Sequence, residues 1–304
     1  MTLMNSQKRR RSISDRTYAL FLMSPVILVF LVVACYPLLQ TIVTSFFVDR
    51  PAEPWMGNDF IGLKNYKTIF SDPVFWDSIW NTIYFSVVSV VLELVIGFAV
   101  ALLLNRKFRG KGLMRVAVML PWAIPTVIAA NAFMFMYNDI YGVFNDLLMR
   151  VGILDQPVAW LGSTSTAMLA VIVADVWKCF PFITIILLAN LQSIPADLYE
   201  SATIDGANKV QAFFNITLPF MKNAIFTALL LRIIDAIRVF DMITVLTEGG
   251  PNDATNVLMT NIYRYTFRYM NFDLGAAASV VSFLLILAIS LFFIVRLARK
   301  NDLQ

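Results

Sequence analysis

Charged residues inside apolar stretches are the part of this sequence that can do chemistry. Between residues 224 and 246, four of them recur at every third position: Arg232, Asp235, Arg238 and Asp241. Asp175 and Lys178 lie within another apolar run, and Glu93 lies within a third. A charge at the bilayer centre costs about 3 kcal/mol, so such groups face a protein interior or a water-filled path. They can bond the hydroxyl groups of a polar solute, or they can neutralise one another as structural pairs, and both interpretations stay open.

The elements that position these charges are membrane helices. Apolar residues make up 59% of the 304 positions and charged residues only 14%, more apolar surface than a water-soluble protein can cover. A bilayer span needs about 20 mostly apolar residues, and a backbone in lipid must be helical to satisfy its own hydrogen bonds. The sequence therefore predicts an all-α membrane protein with six transmembrane helices, at residues 18–47, 79–104, 113–136, 168–191, 224–246 and 276–297.

The distribution of basic residues predicts the orientation of these spans. With the amino terminus in the cytoplasm, fifteen Lys and Arg residues fall in cytoplasmic segments and six in outer segments, as the positive-inside rule requires. Both termini are then cytoplasmic, with a tail at 1–17 and a transmembrane domain at 18–299. The net charge of +4 lies mostly in clusters beside the membrane that attract anionic lipid, so it implies no nucleic-acid partner.

The sequence shows no recognisable catalytic or metal-binding constellation. There is no histidine, the commonest metal ligand and general base, and no nucleophile with a nearby base is visible, so we predict no catalytic residue and no metal site. Gly110-Lys111-Gly112 lacks the earlier glycine and the following Ser or Thr of a phosphate-binding loop. We therefore expect no cofactor on this chain. Cys35 and Cys179 fall inside predicted spans, which implies no disulfide.

A polar island at residues 198–219 separates two apolar runs and reads LYESATIDGANKVQAFFNITLP. Pro195 suits the first turn of a helix, and Gly206 can end one in the left-handed conformation. We predict a short helix at about 195–208, followed by a second short helix, Lys209–Leu218, that leads to Pro219.

The motif in this island is Glu200-Ser201-Ala202, three residues, Gly206, nine residues, and Ile216-Thr217-Leu218-Pro219. It resembles the EAA loop in the membrane subunits of binding-protein-dependent ABC importers, with Ser201 in place of an alanine. The resemblance implies the type I ABC importer permease fold, in which this loop forms a coupling helix that docks into a groove of a cytoplasmic ATPase. The residues expected at that contact are Leu198, Tyr199, Glu200, Ser201, Ala202, Asp205, Gly206 and Ala207. The alternative is an amphipathic helix at the membrane surface.

A second segment, TEGGPNDAT at residues 247–255, resembles the sequence that follows the fifth helix in sugar permeases of the maltose and trehalose type. Counting back from it places Asp235, Ala236, Val239 and Phe240 at the substrate-contacting positions of that family. Cys179 and Phe182 match sugar-lining positions on the fourth helix, where the best-known member has Gly and Tyr. The complete predicted substrate pathway is Trp177, Lys178, Cys179, Phe182, Asp235, Ala236, Arg238, Val239, Phe240 and Asp241.

The resemblance implies a permease subunit of an ATP-driven importer for a di- or oligosaccharide, in the bacterial or archaeal cell (inner) membrane. The implied partners are a second homologous permease subunit, a dimer of ATPase subunits that bind ATP and Mg, and an extracytoplasmic solute-binding protein. One alternative is a permease for glycerol phosphate or another small anionic solute, which Lys178 and Arg238 favour. Another alternative is an ion-coupled secondary transporter, which would need no ATPase.

Overall fold

The structure, a computed structural model, describes residues 15–48 and 59–301. Residues 1–14, which belong to the predicted tail at 1–17, lie outside these ranges, as do residues 49–58 and 302–304. The described residues form helices, with one isolated β-bridge between Phe47 and Phe60, so the all-α prediction is confirmed. In chain order the described helices are α1 (Asp15–Phe30), α2 (Tyr36–Thr44), α3 (Lys64–Ser71), α4 (Pro73–Asn105), α5 (Lys111–Ala123), α6 (Thr126–Met136), α7 (Val143–Arg150), α8 (Ala167–Leu191), α9 (Ala196–Ile204), α10 (Lys209–Ala212), α11 (Leu218–Ile237), α12 (Asp241–Leu246), α13 (Leu258–Tyr263) and α14 (Phe272–Asn301).

Several of these helices match predicted spans. Within the described residues, four helical stretches are long and apolar enough to cross a bilayer: Ala19–Thr44, Pro73–Asn105, Ala167–Leu191 and Phe272–Arg296. A fifth is added when α5 and α6 count as one broken span. The predicted fifth span falls on α11, which carries Arg232 and Asp235. The count of six spans and the side on which the termini lie therefore stay predictions, and α1 begins at Asp15, before the predicted end of the tail.

Two prolines follow π-turns that let a helix continue past them. Proline has no N–H group, and its ring clashes with the carbonyl four residues earlier in an α-helix. The π-turns Leu31–Cys35 and Phe213–Thr217 end two residues before Pro37 and Pro219, and each shifts the hydrogen-bond register at that point. The chain is thus helical without interruption from Lys209 through α10 and α11. The predicted separate helix, Lys209–Leu218, is wrong for this reason.

The third predicted span is broken where its prolines indicate. The helices α5 and α6 meet at 91°, with Ile124 and Pro125 in extended conformations between them. A residue before proline is driven out of the helical region by the proline ring, which accounts for the break at Ile124. Pro121 remains inside α5.

The bundle is organised around α4 and α8, which run in parallel. Phe85 of α4 lies in one buried cluster with Val171 of α8, and Leu104 lies in another with Leu191. Between these clusters Gly97 permits the closest approach, because an added Cβ would lie 3.1 Å from both the Ile183 side chain and a backbone carbonyl of α8. The packing of these two helices fixes the height of the charged groups that they carry.

Replacing Gly97 with alanine should separate α4 from α8 and lower the free energy of unfolding. Overpacking of this kind costs about 1–3 kcal/mol, which thermal unfolding of the purified protein can measure. Gly112→Ala on α5 is the matched control, because a Cβ there meets no atom within 4 Å. An equal loss of stability in both variants would show that Gly97 does not set the helix separation.

Candidate functional site

Arg232 of α11 lies at the centre of a buried ion-pair cluster that joins three helices. Its guanidinium group donates to both carboxylate oxygens of Glu93 on α4, at 2.6 Å from Nε and 2.9 Å from Nη2. Nη2 also donates to Asp175 of α8, and Nη1 donates to Asp235 at 2.9 Å. The side chains of Arg232, Glu93 and Asp175 are 3%, 0% and 8% exposed. We call these four residues the Arg232 cluster.

This geometry explains why charges persist inside an apolar bundle. A bidentate pair of arginine and carboxylate is strong and directional, whereas a lone buried charge costs several kcal/mol. Ligand atoms of Glu93, Asp175 and Cys179 lie within 4.8 Å of one another, close enough to suit a metal ion. Arg232 instead donates to both carboxylates, and the Cys179 thiol donates to Asp175 at 3.7 Å. The arrangement is that of an ion-pair network.

The predicted four-residue charge ladder is not a continuous helix. The helix α11 ends at Ile237, and α12 begins only at Asp241. The N–H groups of Arg238 and Val239 bond to carbonyls three residues earlier, at 3.1 Å each, which tightens the last turn and ends the helix. Only the first two charges of the ladder therefore pair with each other, and the last two follow the break.

Two adjoining cavities open beside the Arg232 cluster. Their volumes are about 170 Å³ and about 310 Å³. Both are lined by Trp122, Cys179, Arg232 and Asp235, so one wall of each consists of charged groups and the other includes an indole ring. Trp122 stacks on Phe182, with ring centroids 6.1 Å apart and planes inclined by 24°. The cavities thus offer polar and aromatic faces together.

Most of the predicted pathway residues lie in these cavities. Those that line the smaller cavity are Lys178, Cys179, Asp235, Arg238, Val239, Phe240 and Asp241, and Phe182 lines the larger one. Trp177 and Ala236 line neither. On α8, positions 175, 178, 179 and 182 share one face of the helix, and position 177 lies on another. Trp177 accordingly packs edge-on against Phe133 at 5.3 Å, while Ala236 is buried in the core.

Sequence reasoning missed six residues that line the cavities: Trp122, Thr126, Asp175, Leu231, Arg232 and Met242. The first two flank the break between α5 and α6, and broken helices at membrane depth commonly line cavities. Pro121 and Pro125 indicated this break in the sequence. Arg232 and Asp175 were recognised as charges inside spans, but no local pattern relates either of them to Glu93.

The polar island forms the predicted short helix, α9. Ala196–Ile204 is helical, and Gly206 has a φ of +80°, as expected of a glycine that ends a helix. The Tyr199 hydroxyl group lies 2.9 Å from the Thr217 hydroxyl group, so α9 is tied to the residue that precedes α11. This contact joins α9 to the start of the helix that carries Arg232.

The eight residues of this segment that were predicted to contact an ATPase differ in exposure. Among the eight predicted contact residues, the exposed ones are Glu200, Ser201, Asp205 and Gly206, and the half-buried ones are Leu198, Tyr199, Ala202 and Ala207. Half of the predicted contact residues are thus turned partly toward the bundle. Ile204, which was not predicted, is 86% exposed.

Comparison with known proteins places this geometry in a family. The family model described as "Binding-protein-dependent transport system inner membrane component" matches residues 93–301. The chain is 44% identical over 273 residues to the trehalose/maltose transport system permease protein MalF of Thermococcus litoralis, over 89% of this chain and 90% of that protein.

Two crystal structures are also similar to this chain. One is of a bacterial ABC transporter involved in the import of the acidic polysaccharide alginate, with a TM-score of 0.81 and 28% identity over 93% of this chain and 96% of that chain. The other is of a bacterial alginate ABC transporter in complex with an alginate pentasaccharide-bound periplasmic protein, with a TM-score of 0.78 and 27% identity over 91% and 93%.

The family match and the structural features described above fall on the same part of the chain. Residues 93–301 include the Arg232 cluster, every residue that lines the two cavities, and α9. The match covers more than two thirds of the 304 residues. The chain therefore belongs to the family of binding-protein-dependent transport system inner membrane components.

Proposed function

We propose that this chain is a permease subunit of an ATP-driven sugar importer and that the two cavities beside the Arg232 cluster form part of the sugar pathway. The observation that carries this proposal is the combination of aromatic rings and charged groups around one space. Sugars present C–H faces that pack on aromatic rings and hydroxyl groups that bond to charged side chains. The 44% identity to a trehalose/maltose permease supports a di- or oligosaccharide.

Each part of a sugar has a matching group in the cavities. Phe182, stacked on Trp122, and Phe240 supply apolar faces. The Asp235 side chain is 75% exposed and gives one oxygen to Arg232, which leaves its second oxygen to accept a hydroxyl group. Lys178 and Arg238, which are positively charged, supply hydrogen-bond donors.

The coupling of transport to ATP hydrolysis depends on α9 in this proposal. An ATPase dimer that binds ATP and Mg would hold α9, and the bond between Tyr199 and Thr217 would pass its movement to α11. Since α11 is tied to α4 and α8 through Arg232, the three helices would tilt together and change the side to which the cavities open, as alternating access requires. A second permease subunit would complete the pathway. A periplasmic protein bound to a related transporter supports a solute-binding protein as the donor of sugar.

An anionic solute is the second candidate substrate, and Lys178 is the observation that favours it. Its side chain is buried, with 9% exposure, it lines the smaller cavity, and it makes no ion pair within the described part of the chain. A structural neighbour that imports an acidic polysaccharide adds support. Asp241 and the free oxygen of Asp235 face the same space, however, and offset the charges of Lys178 and Arg238, so a neutral sugar fits better.

Lys178→Met should weaken sugar uptake and leave the amount of folded protein unchanged. A hydrogen bond to a charged group contributes about 1.5–3 kcal/mol, so we expect the KM for a neutral disaccharide to rise about tenfold or more. Membrane levels should hold, because methionine fills a similar volume without a buried charge. Uptake is measured in vesicles with the complete transporter.

Lys222→Met is the matched control for this experiment, because Lys222 is exposed near the other end of α11. Its KM should not change. Preferential uptake of glycerol phosphate over neutral disaccharide by the wild type, abolished in Lys178→Met, would establish the anionic alternative. An unchanged KM in Lys178→Met would exclude Lys178 from the pathway.

A further inference from the structure

The short helix α3 lies at the end of the bundle opposite to α9, beside the start of α4. It is amphipathic. Asn65 and Ile69 are buried, and the Asn65 amide donates to the carbonyl oxygens of Ser45 and Phe47 at 3.0 Å each. These contacts fix α3 against the segment that follows α2, so its outer face is a rigid surface.

Two grooves of different character run along this outer face. Each has a volume of about 560 Å³. Lys67 and Ser71 line both grooves, and the other lining residues differ between them. The first groove is otherwise lined by Leu63, Tyr66 and Phe70, and the second by Lys64, Thr68 and Asp72. An apolar groove that adjoins a polar groove matches a phospholipid, which has an acyl chain next to a charged headgroup.

Tryptophans on α4 place these grooves at the level of lipid headgroups. Trp76 and Trp80 lie one helical turn apart and are 53% and 66% exposed. The Trp76 indole N–H donates to the Phe70 carbonyl at 2.9 Å, which ties this ring to α3. Exposed tryptophans on a membrane helix concentrate at the boundary between hydrocarbon and water, so α3 lies where a lipid phosphate lies.

The hydrogen bonds within α3 narrow the chemistry of the headgroup. Lys64 and Lys67 are exposed and make no ion pair within the described residues, so their ammonium groups can bind a phosphate. The Thr68 and Ser71 hydroxyl groups donate to carbonyls one turn earlier, at 3.1 and 2.8 Å, and so face the groove as acceptors. Such acceptors suit a headgroup that carries hydroxyl donors.

We propose that the outer face of α3 binds one anionic phospholipid with a hydroxylated headgroup, of the phosphatidylglycerol type. The acyl chain lies against Leu63, Tyr66 and Phe70, and the phosphate lies between Lys64 and Lys67. The lipid holds α3 at the membrane surface, and through α3 it holds the start of α4, the helix that carries Glu93.

The test is photo-crosslinking of the assembled transporter in phosphatidylcholine nanodiscs. A trace of photoactivatable phosphatidylglycerol or phosphatidylcholine is added, and lipid adducts on the peptide that contains residues 60–72 are quantified by mass spectrometry. We expect several-fold more labelling by phosphatidylglycerol. Lys64→Gln/Lys67→Gln should remove this preference, so that the two lipids label residues 60–72 equally.

Lys107→Gln/Lys111→Gln removes the same charge at the other end of α4 and serves as the control, with labelling of residues 60–72 expected to be unchanged. Equal labelling by the two lipids in the wild type would overturn the proposal. So would phosphatidylglycerol labelling that survives in Lys64→Gln/Lys67→Gln. Absence of labelling would also overturn it, since no lipid would then lie against α3.

Discussion

Replacing Arg232 with methionine should remove most of the folded, transport-competent protein from the membrane. The change leaves Glu93 and Asp175 buried side by side without their shared cation. Removing one partner of a buried ion pair costs about 3–5 kcal/mol, a large part of the stability of a typical domain. The measurement is the amount of protein in the membrane together with the unfolding temperature of what can be purified.

Two further variants test whether the instability of Arg232→Met comes from the unpaired carboxylates or from any change in the cluster. Asp235→Asn is the control within the cluster, because its side chain is 75% exposed and exposed pairs contribute only about 0–1 kcal/mol. Its stability should be close to that of the wild type, although sugar uptake should fall. The triple variant Glu93→Gln/Asp175→Asn/Arg232→Met should regain stability, since no buried charge is left unpaired and Asp235 is exposed to solvent. A triple variant as unstable as Arg232→Met would refute this account of the cluster.

Gly206→Pro should break the contact between this chain and its ATPase. Gly206 has a φ of +80°, which proline cannot adopt, and its N–H donates to the Thr203 carbonyl at 3.1 Å. The combined effect is at least about 3 kcal/mol, or roughly a hundredfold in affinity if the end of α9 must refold to dock. Co-purification of ATPase subunits and sugar-stimulated ATP hydrolysis should both fall.

Gly152→Pro supplies a close match for this experiment. Gly152 follows α7, has a φ of +74° and open space around an added Cβ, and its N–H donates to the Met149 carbonyl at 3.0 Å. Gly152→Pro therefore disturbs the backbone in the same way as Gly206→Pro, but at the end of α7 and not at the end of α9. We expect ATPase subunits to co-purify normally with Gly152→Pro. Normal coupling in Gly206→Pro would mean that α9 is not the docking element.

Features that rest on local sequence could be predicted. Pro125 indicated the broken third span, because a proline acts on its immediate neighbours. Gly206 indicated the end of α9, because few residues other than glycine tolerate the left-handed conformation that stops a helix. In both places the physical cause lies within a few residues of its effect.

Features that depend on the meeting of distant residues could not be predicted. Arg232 and Glu93 are 139 positions apart, and no spacing rule relates them, so the sequence left Glu93 without a partner. The end of α11 at Ile237 was missed because neither Gly nor Pro marks it. Ile204 was overlooked because its exposure follows from the way α9 rests against the bundle.

Cys179 offers the most direct test that sugar passes the cavities, because it is native to the chain and lines both of them. The measurement is the rate of thiol labelling by a small methanethiosulfonate in the transporter assembled with its ATPase and solute-binding protein, in a Cys35→Ala background. During turnover with ATP, the transported sugar should slow labelling several-fold, and a sugar that is not transported should have no effect. Labelling that is equally fast with and without the transported sugar would contradict the proposed pathway.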